Sequence, residues 1–288
     1  MMTLYNNKVR AWARSILLFH LFALTPFFTA CDHIDESEQL IKIDEPQETV
    51  PYTTDPTNPT PDNPTSAVKH VLLEDFTGQK CINCPKGTEV IEKMADAYGD
   101  RLIAVGIHCG PLGFKGSSTM TGLSTELGDS YYNHWNLEFQ PVGMIDRGTP
   151  CNYTEWQATV RDHLALTSTI KMQVEARLQG NNISISVTDS AYADYHGKLQ
   201  VWLLEDGIVA IQSMPDGTNN REYVHNHVLR TAVNGAWGED LTLANGEEKT
   251  HTLTQAVDAA WNTDNLSIVA FIYNDNGVEQ AAKGKVKR

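Results

Sequence analysis

Two cysteines three residues apart, Cys81-Ile82-Asn83-Cys84, are the residues of this 288-residue sequence best placed to do chemistry. They follow a turn, Thr77-Gly78-Gln79-Lys80. They also open a segment, Cys81 to Tyr98, in which Val90, Ile91, Met94 and Ala97 recur at helical spacing. A helix N-terminus presents free backbone N–H groups and the positive end of the dipole, which favour a thiolate and lower the pKa of a nearby cysteine. Cys81 is then expected to be exposed and to attack, and Cys84 to resolve the mixed disulfide. Lys80 adds to the thiolate stabilisation if it faces the sulfur. The same spacing suits an inert disulfide in an oxidising compartment. It also suits zinc with His108 and Cys109 as further ligands, although no second C-x-x-C and no H-x₃₋₅-H accompanies it.

The surrounding pattern says what positions this pair. Val68 to Phe76 reads as a buried strand, apolar at Val71, Leu72, Leu73 and Phe76, and Leu102 to Ile107 is a second apolar run of strand length. Strand, helix and strand in that order predict parallel strands joined by a right-handed crossover. A polar loop from Gly110 to Ser118, a helix within Thr121 to His134, a short strand from Val142 to Asp146 and an amphipathic helix from Tyr153 to Leu166 follow. After Thr167 the period becomes two: Ile170-Met172-Val174-Ala176, Ile183-Ile185-Val187, Leu199-Val201-Leu203 and Val269-Phe271-Tyr273. Asn/Asp-Gly turn signals separate these runs, which predicts an antiparallel β-sandwich.

Around the cysteines the chain resembles thioredoxin-fold proteins. Asp75 lies six residues before Cys81, where thioredoxins place a buried acid, and Gln140-Pro141 precedes a strand, as their cis-proline does. The resemblance implies proton transfer by Asp75 and a substrate groove shaped by Pro141. Ile82-Asn83 stands in place of Gly-Pro, and Lys80 in place of the usual tryptophan. Glu74-Asp75-Phe76-Thr77-Gly78 with Cys81-Ile82-Asn83-Cys84-Pro85, and Tyr223-Val224-His225-Asn226-His227-Val228-Leu229-Arg230, resemble the outer-membrane protein 28-related lipoproteins of the Bacteroidetes. That resemblance covers roughly residues 68–288 and implies a thioredoxin-like domain joined to a β-rich one. The expected fold is therefore an α/β thioredoxin-like domain, residues 67–167, followed by an all-β (β-sandwich, Ig-like) domain, residues 168–288.

The N-terminus carries an address. Lys8, Arg10 and Arg14 precede a nine-residue apolar stretch, Ile16 to Leu24, too short to cross a bilayer core of ~30 Å. A basic flank, a short apolar stretch and small residues at its end describe a signal peptide over residues 1–30. Phe28-Thr29-Ala30-Cys31 resembles a lipobox, which makes Cys31 the residue to be acylated. An acidic and Pro/Thr-rich tether, residues 31–66, holds half of the chain's 12 prolines. The formal charge of −14 deepens by three when the signal segment and its bases are removed, and such a surface repels phosphate backbones.

The expected protein is thus an envelope-anchored, outer-membrane lipoprotein acting as a thiol–disulfide oxidoreductase, or alternatively a non-catalytic outer-membrane binding or assembly protein on a redundant thioredoxin scaffold. Its expected partners are the membrane, through lipid on Cys31, and protein thiols or disulfides, with no nucleic acid. No cofactor and no metal is expected. Cys109 reads as a small buried residue, and a Cys109–Cys151 bond as doubtful. His225 and His227 would share a face if they lie on a strand. Trp202, Trp237 and Trp261 read as core.

Overall fold

A computed structural model describes residues 65–288. The expectations that fall on residues 1–64, which include the signal segment, Cys31 and nearly all of the tether, lie outside the described residues. The first half runs β1 (Ala67–Val68), β2 (Val71–Thr77), α1 (Cys84–Tyr98), β3 (Leu102–His108), α2 (Glu126–His134), β4 (Val142–Ile145), β5 (Cys151–Asn152) and α3 (Trp156–Leu164). The second half is built on strands. These are β6 (Thr167–Ser168), β7 (Ile170–Gln179), β8 (Asn182–Ala191), β9 (Tyr195–Glu205), β10 (Ile208–Ser213), β11 (Asn219–His225) and β12 (Val228–Ala232). Then come β13 (Glu239–Leu243), β14 (Glu248–Ala256), β15 (Leu266–Asn274) and β16 (Gly277–Lys287).

Every residue of β2 and of β3 is buried, which is what unbroken apolar runs produce when a parallel pair is covered on both faces. The two strands pair in parallel from Val71 opposite Leu102 to Thr77 opposite His108. On one face Val71, Leu73 and Ala104 pack against Ile91 and Met94 of α1 and Trp156 and Val160 of α3. On the other, Leu72, Phe76, Ile103 and Val105 share a core with Tyr131 of α2 and with Trp202 and Phe271.

The expected pair of separate domains is not what forms. β12 pairs in parallel with β3 and antiparallel with β9, so strands from both halves join one twelve-stranded mixed sheet. There is no distinct α/β thioredoxin-like domain followed by an independent all-β one. The reason lies in β9 and β15, which are buried on both faces. Trp202, Leu204, Val269 and Phe271 face the first core, while Leu199, Val201, Leu203, Ile268 and Ala270 face a second core shared with β7 and β8. Sandwich packing is present around that second core, as a layer of the common sheet.

Asp146 and Arg147, just after β4, both adopt left-handed backbone, φ 48° and 58°. The Asp146 carboxylate accepts the Leu72 N–H at 2.9 Å, meets Lys69 Nζ at 3.2 Å and approaches His163 Nδ1 at 2.9 Å. Arg147 turns the other way. Its Nε lies 3.6 Å from Glu74 Oε1, and its guanidinium carbon stands 4.0 Å from the centre of the Tyr273 ring and 4.7 Å from that of Phe271. Both side chains of the Glu74–Arg147 pair are fully enclosed. Burial pushes the Glu74 carboxyl up from its ordinary pKa, against the pull of the guanidinium. Removing one partner of such a pair strands the other. Arg147→Ala is expected to lower the unfolding free energy by roughly 3–5 kcal/mol, and the double change Glu74→Gln/Arg147→Met to restore most of it, as read from urea denaturation.

Candidate functional site

The turn after β2 brings the chain close to the loop after β3. Lys80 N–H donates to Leu112 O at 2.9 Å and Cys81 N–H to Gly78 O at 3.0 Å. Cys81 and Cys84 form a disulfide with their Cα atoms 5.4 Å apart, and Cys84 is the first residue of α1. Its N–H donates to Cys81 Sγ at 3.1 Å, so a helix N-terminal amide does face a sulfur of the pair. Pro85 fills the first turn, where the missing N–H costs nothing. Lys80 does not approach the sulfurs through any ion pair or hydrogen bond among the described residues; its Nζ stands 5.7 Å from the Phe114 ring centre.

Pro141 follows a cis peptide bond and packs on the start of α1. A β-carbon placed on Gly87 would lie 3.4 Å from its Cγ and 3.1 Å from the Trp156 ring, so a side chain there would press on both. Gln140, the residue before it, donates through Nε2 to Thr77 O at 2.7 Å and Cys109 O at 3.0 Å, tying the ends of β2 and β3 together.

Cys81 is not exposed. It is 1% accessible and Cys84 2%, and the β10–β11 hairpin packs beside them. Gln212 Nε2 donates to Cys81 O at 2.8 Å, Ser213 N–H to Gln79 O at 2.9 Å, and Gln79 Nε2 to Ile211 O at 3.0 Å. Three glutamines therefore hold the site. Their sequence positions gave no signal, since an isolated glutamine reads as surface.

Beside the disulfide is a narrow cleft of about 50 Å³, room for a few waters, lined among others by Asp75, Cys84, Thr88, His108, Tyr223 and His225. Asp75 Oδ1, His108 Nδ1 and His225 Nε2 are buried without a hydrogen-bond partner. Burial pushes the Asp75 carboxyl up to about 8. Burial likewise pulls His225 down to about 4, and holds His108 well below its ordinary value, with help from His225 and Arg230. The two imidazoles meet edge-on with centres 5.1 Å apart. At neutral pH this cleft is lined by groups held mostly uncharged.

His225 and His227 do not share a face. β11 ends at His225, His227 turns into left-handed backbone at φ 58°, and its Nδ1 lies 2.9 Å from Asp206 at a half-exposed position. Cys109 and Cys151 are both free thiols. Burial raises the pKa of each, with Cys151 pushed up to about 11. Among the described residues no group of three His, Cys, Asp or Glu is placed to hold a metal, so the zinc reading through His108 and Cys109 gains no support. Trp202 is fully buried, and Trp237 and Trp261 pack against the two cores.

Asp75 has a consequence for stability. A carboxyl raised from 3.8 to about 8 on folding binds its proton more tightly in the folded state. Its stabilising effect is complete below pH 3.8 and is lost as pH rises through about 8. The wild type is expected to lose on the order of a few kcal/mol between pH 4 and 9 that Asp75→Asn retains, measured by urea unfolding of both proteins across that range.

A family model described as Outer membrane protein Omp28 matches residues 128–288. The matched span contains Tyr223 to Arg230 and excludes the cysteine pair. HBP35 of Porphyromonas gingivalis has a similar fold at 15% identity and a TM-score of 0.61, covering 77% of this chain and 76% of that one. A domain of the outer membrane lipoprotein Omp28 from Porphyromonas gingivalis is 27% identical over 42% of this chain and 89% of that one, with a TM-score of 0.32. No curated protein matches the chain. The family match spans more than half of the sequence, and the chain accordingly belongs to the outer membrane protein Omp28 family and is a protein of the bacterial outer membrane.

Proposed function

We propose that this protein is a non-catalytic binding or assembly protein of the outer membrane, tethered by lipid on Cys31 and presenting its β-rich body to protein partners. The observation that carries this reading is the burial of the cysteine pair. An exchange enzyme needs the sulfur of its first cysteine within reach of a substrate disulfide. Here Cys81 is 1% accessible and its carbonyl is bound by Gln212. With β10–β11 in place, no attacking sulfur is offered.

One observation favours a second reading, a thiol–disulfide oxidoreductase. Asp75 lines the same cleft as Cys84 and holds its proton near neutral pH. In that reading Cys81 attacks, Cys84 resolves, Asp75 moves the proton and Pro141 shapes the groove. Turnover separates the two. In an insulin-reduction assay the wild type is expected to be no faster than Cys81→Ser; a wild-type rate well above that of the variant would establish the enzyme instead. The tether has its own test. Cys31→Ser is expected to abolish palmitate labelling and to move the protein from the membrane fraction to the soluble one.

A further inference from the structure

The β10–β11 hairpin beside the disulfide, like the short β1–β6 pair, stands outside the twelve-stranded sheet. β10 and β11 pair only with each other and form a two-stranded sheet of their own, so moving them breaks no ladder of the twelve-stranded sheet. Their attachment to the cysteine turn runs through the side chains of Gln212 and Gln79 and the Ser213 N–H.

Both ends of the hairpin are built to turn. Gly207, just before β10, has φ 72°, a left-handed conformation that glycine adopts without steric cost. His227, just after β11, is left-handed too. The ends are fastened to each other: Gly207 N–H donates to Asn226 Oδ1 at 2.9 Å and His227 N–H to Asp206 Oδ1 at 2.6 Å. The pair of strands is thus clamped at its base, with a left-handed residue on each side of the clamp.

The closed position also carries a penalty. Asp75 Oδ1, His108 Nδ1 and His225 Nε2 are buried and have no hydrogen-bond partner in the protein. A polar atom buried in this way costs its hydration. Lifting β11 returns His225 to solvent and opens the cleft that His108 and Asp75 line. Outward, Val209 and Val224 face each other across the two strands and are half exposed, so no layer of the protein covers the hairpin from above.

We propose that the β10–β11 hairpin is a displaceable cover hinged at Gly207 and Asn226–His227, and that the Cys81–Cys84 bond beneath it is a cryptic exchange site for small thiols. The inference goes beyond the binding role and does not depend on turnover. The reaction is stoichiometric. A dithiol attacks as its thiolate, one S–S bond of the protein breaks as a mixed disulfide forms, and the second sulfur of the reagent resolves it. Two electrons pass to Cys81 and Cys84, which take up two protons, and the reagent leaves as a disulfide.

The test is the rate of reduction of the full-length oxidised protein by dithiothreitol, followed by thiol alkylation and mass spectrometry. Rates are taken at pH 7.5 and divided by that of oxidised glutathione in the same buffer, which cancels the thiolate fraction of the reagent. One fixed pH is used because Asp75 and the two histidines have pKa values shifted in opposite directions. The wild type is expected to react at least tenfold more slowly than glutathione disulfide. Gln212→Ala, which frees the Cys81 carbonyl, is expected to accelerate reduction about fivefold. His225→Phe, which replaces an unpartnered ring nitrogen by carbon, is expected to slow it. The urea midpoint of each oxidised variant is measured beside its rate. Opposite effects of the two substitutions, larger than the midpoints account for, support the hinged cover. A wild-type rate equal to that of glutathione disulfide overturns it, as do variant rates that merely follow global stability. The insulin assay asks whether the pair turns over, and this one asks whether it can be reached.

Discussion

Two left-handed residues after β4 hold this molecule in register. Asp146 and Arg147 sit next to each other and point apart, so one short turn serves both sides of β2. Asp146 fixes the start of that strand through the Leu72 amide and Lys69, and its own carbonyl accepts the Val278 N–H from β16 at 2.8 Å. Arg147 reaches Glu74 in the middle of the strand under four aromatic rings from the second half of the chain. Successive side chains of a strand point to opposite faces. With Glu74 committed to the aromatic side, Asp75 is committed to the side of α1 and the cysteines. A one-residue slip would exchange them, offering Arg147 the shorter aspartate and placing a glutamate beside Cys84.

The same sheet decides what lies above the disulfide. β12 begins beside β3, with Val228 opposite Gly106, and Gly106 N–H donates to His227 O at 2.8 Å. The chain feeding β12 must therefore arrive at the C-terminal ends of β2 and β3, where the cysteine turn is found. β9 ends in that region, with Glu205 opposite Val228, β12 starts from it, and the residues between them make the hairpin. The cover is thus a product of the fusion of the two halves. Cys81, expected to be exposed, is buried where strands of the two halves meet in one sheet.

Much of the local structure was legible. The apolar runs Val71–Phe76 and Leu102–Ile107 form strands, the helical spacing of Ile91 and Met94 forms α1, and the alternation from Ile170 onward forms β7 and its partners. Cys84 opens its helix, as the helical spacing after it suggested. The assembly was not legible. Alternation signals one buried face, whereas β9 and β15 are buried on both, and no local pattern says which segment covers the second, so a continuous sheet and an independent sandwich read alike. His225 and His227 read as neighbours on a strand because nothing in their types reveals the left-handed residue that ends it. Gln79, Gln140 and Gln212 read as surface because a buried amide is recognised by its acceptors, and those are backbone carbonyls far away in the sequence.

The cleft beside Cys84 bears on why the disulfide is there. A bond between residues three apart closes a very short loop, and the chain-entropy model gives it only about 2 kcal/mol of stabilisation. Three buried polar atoms beside it have no partner in the protein, and a polar atom left without a hydrogen bond costs about 1–3 kcal/mol. Departures from local consistency of this kind collect where a protein does something other than stay folded. The asymmetry fits a bond that is kept covered in one position of the hairpin and hydrated in another, with the unpartnered atoms setting how easily the cover lifts and the glutamines how firmly it closes.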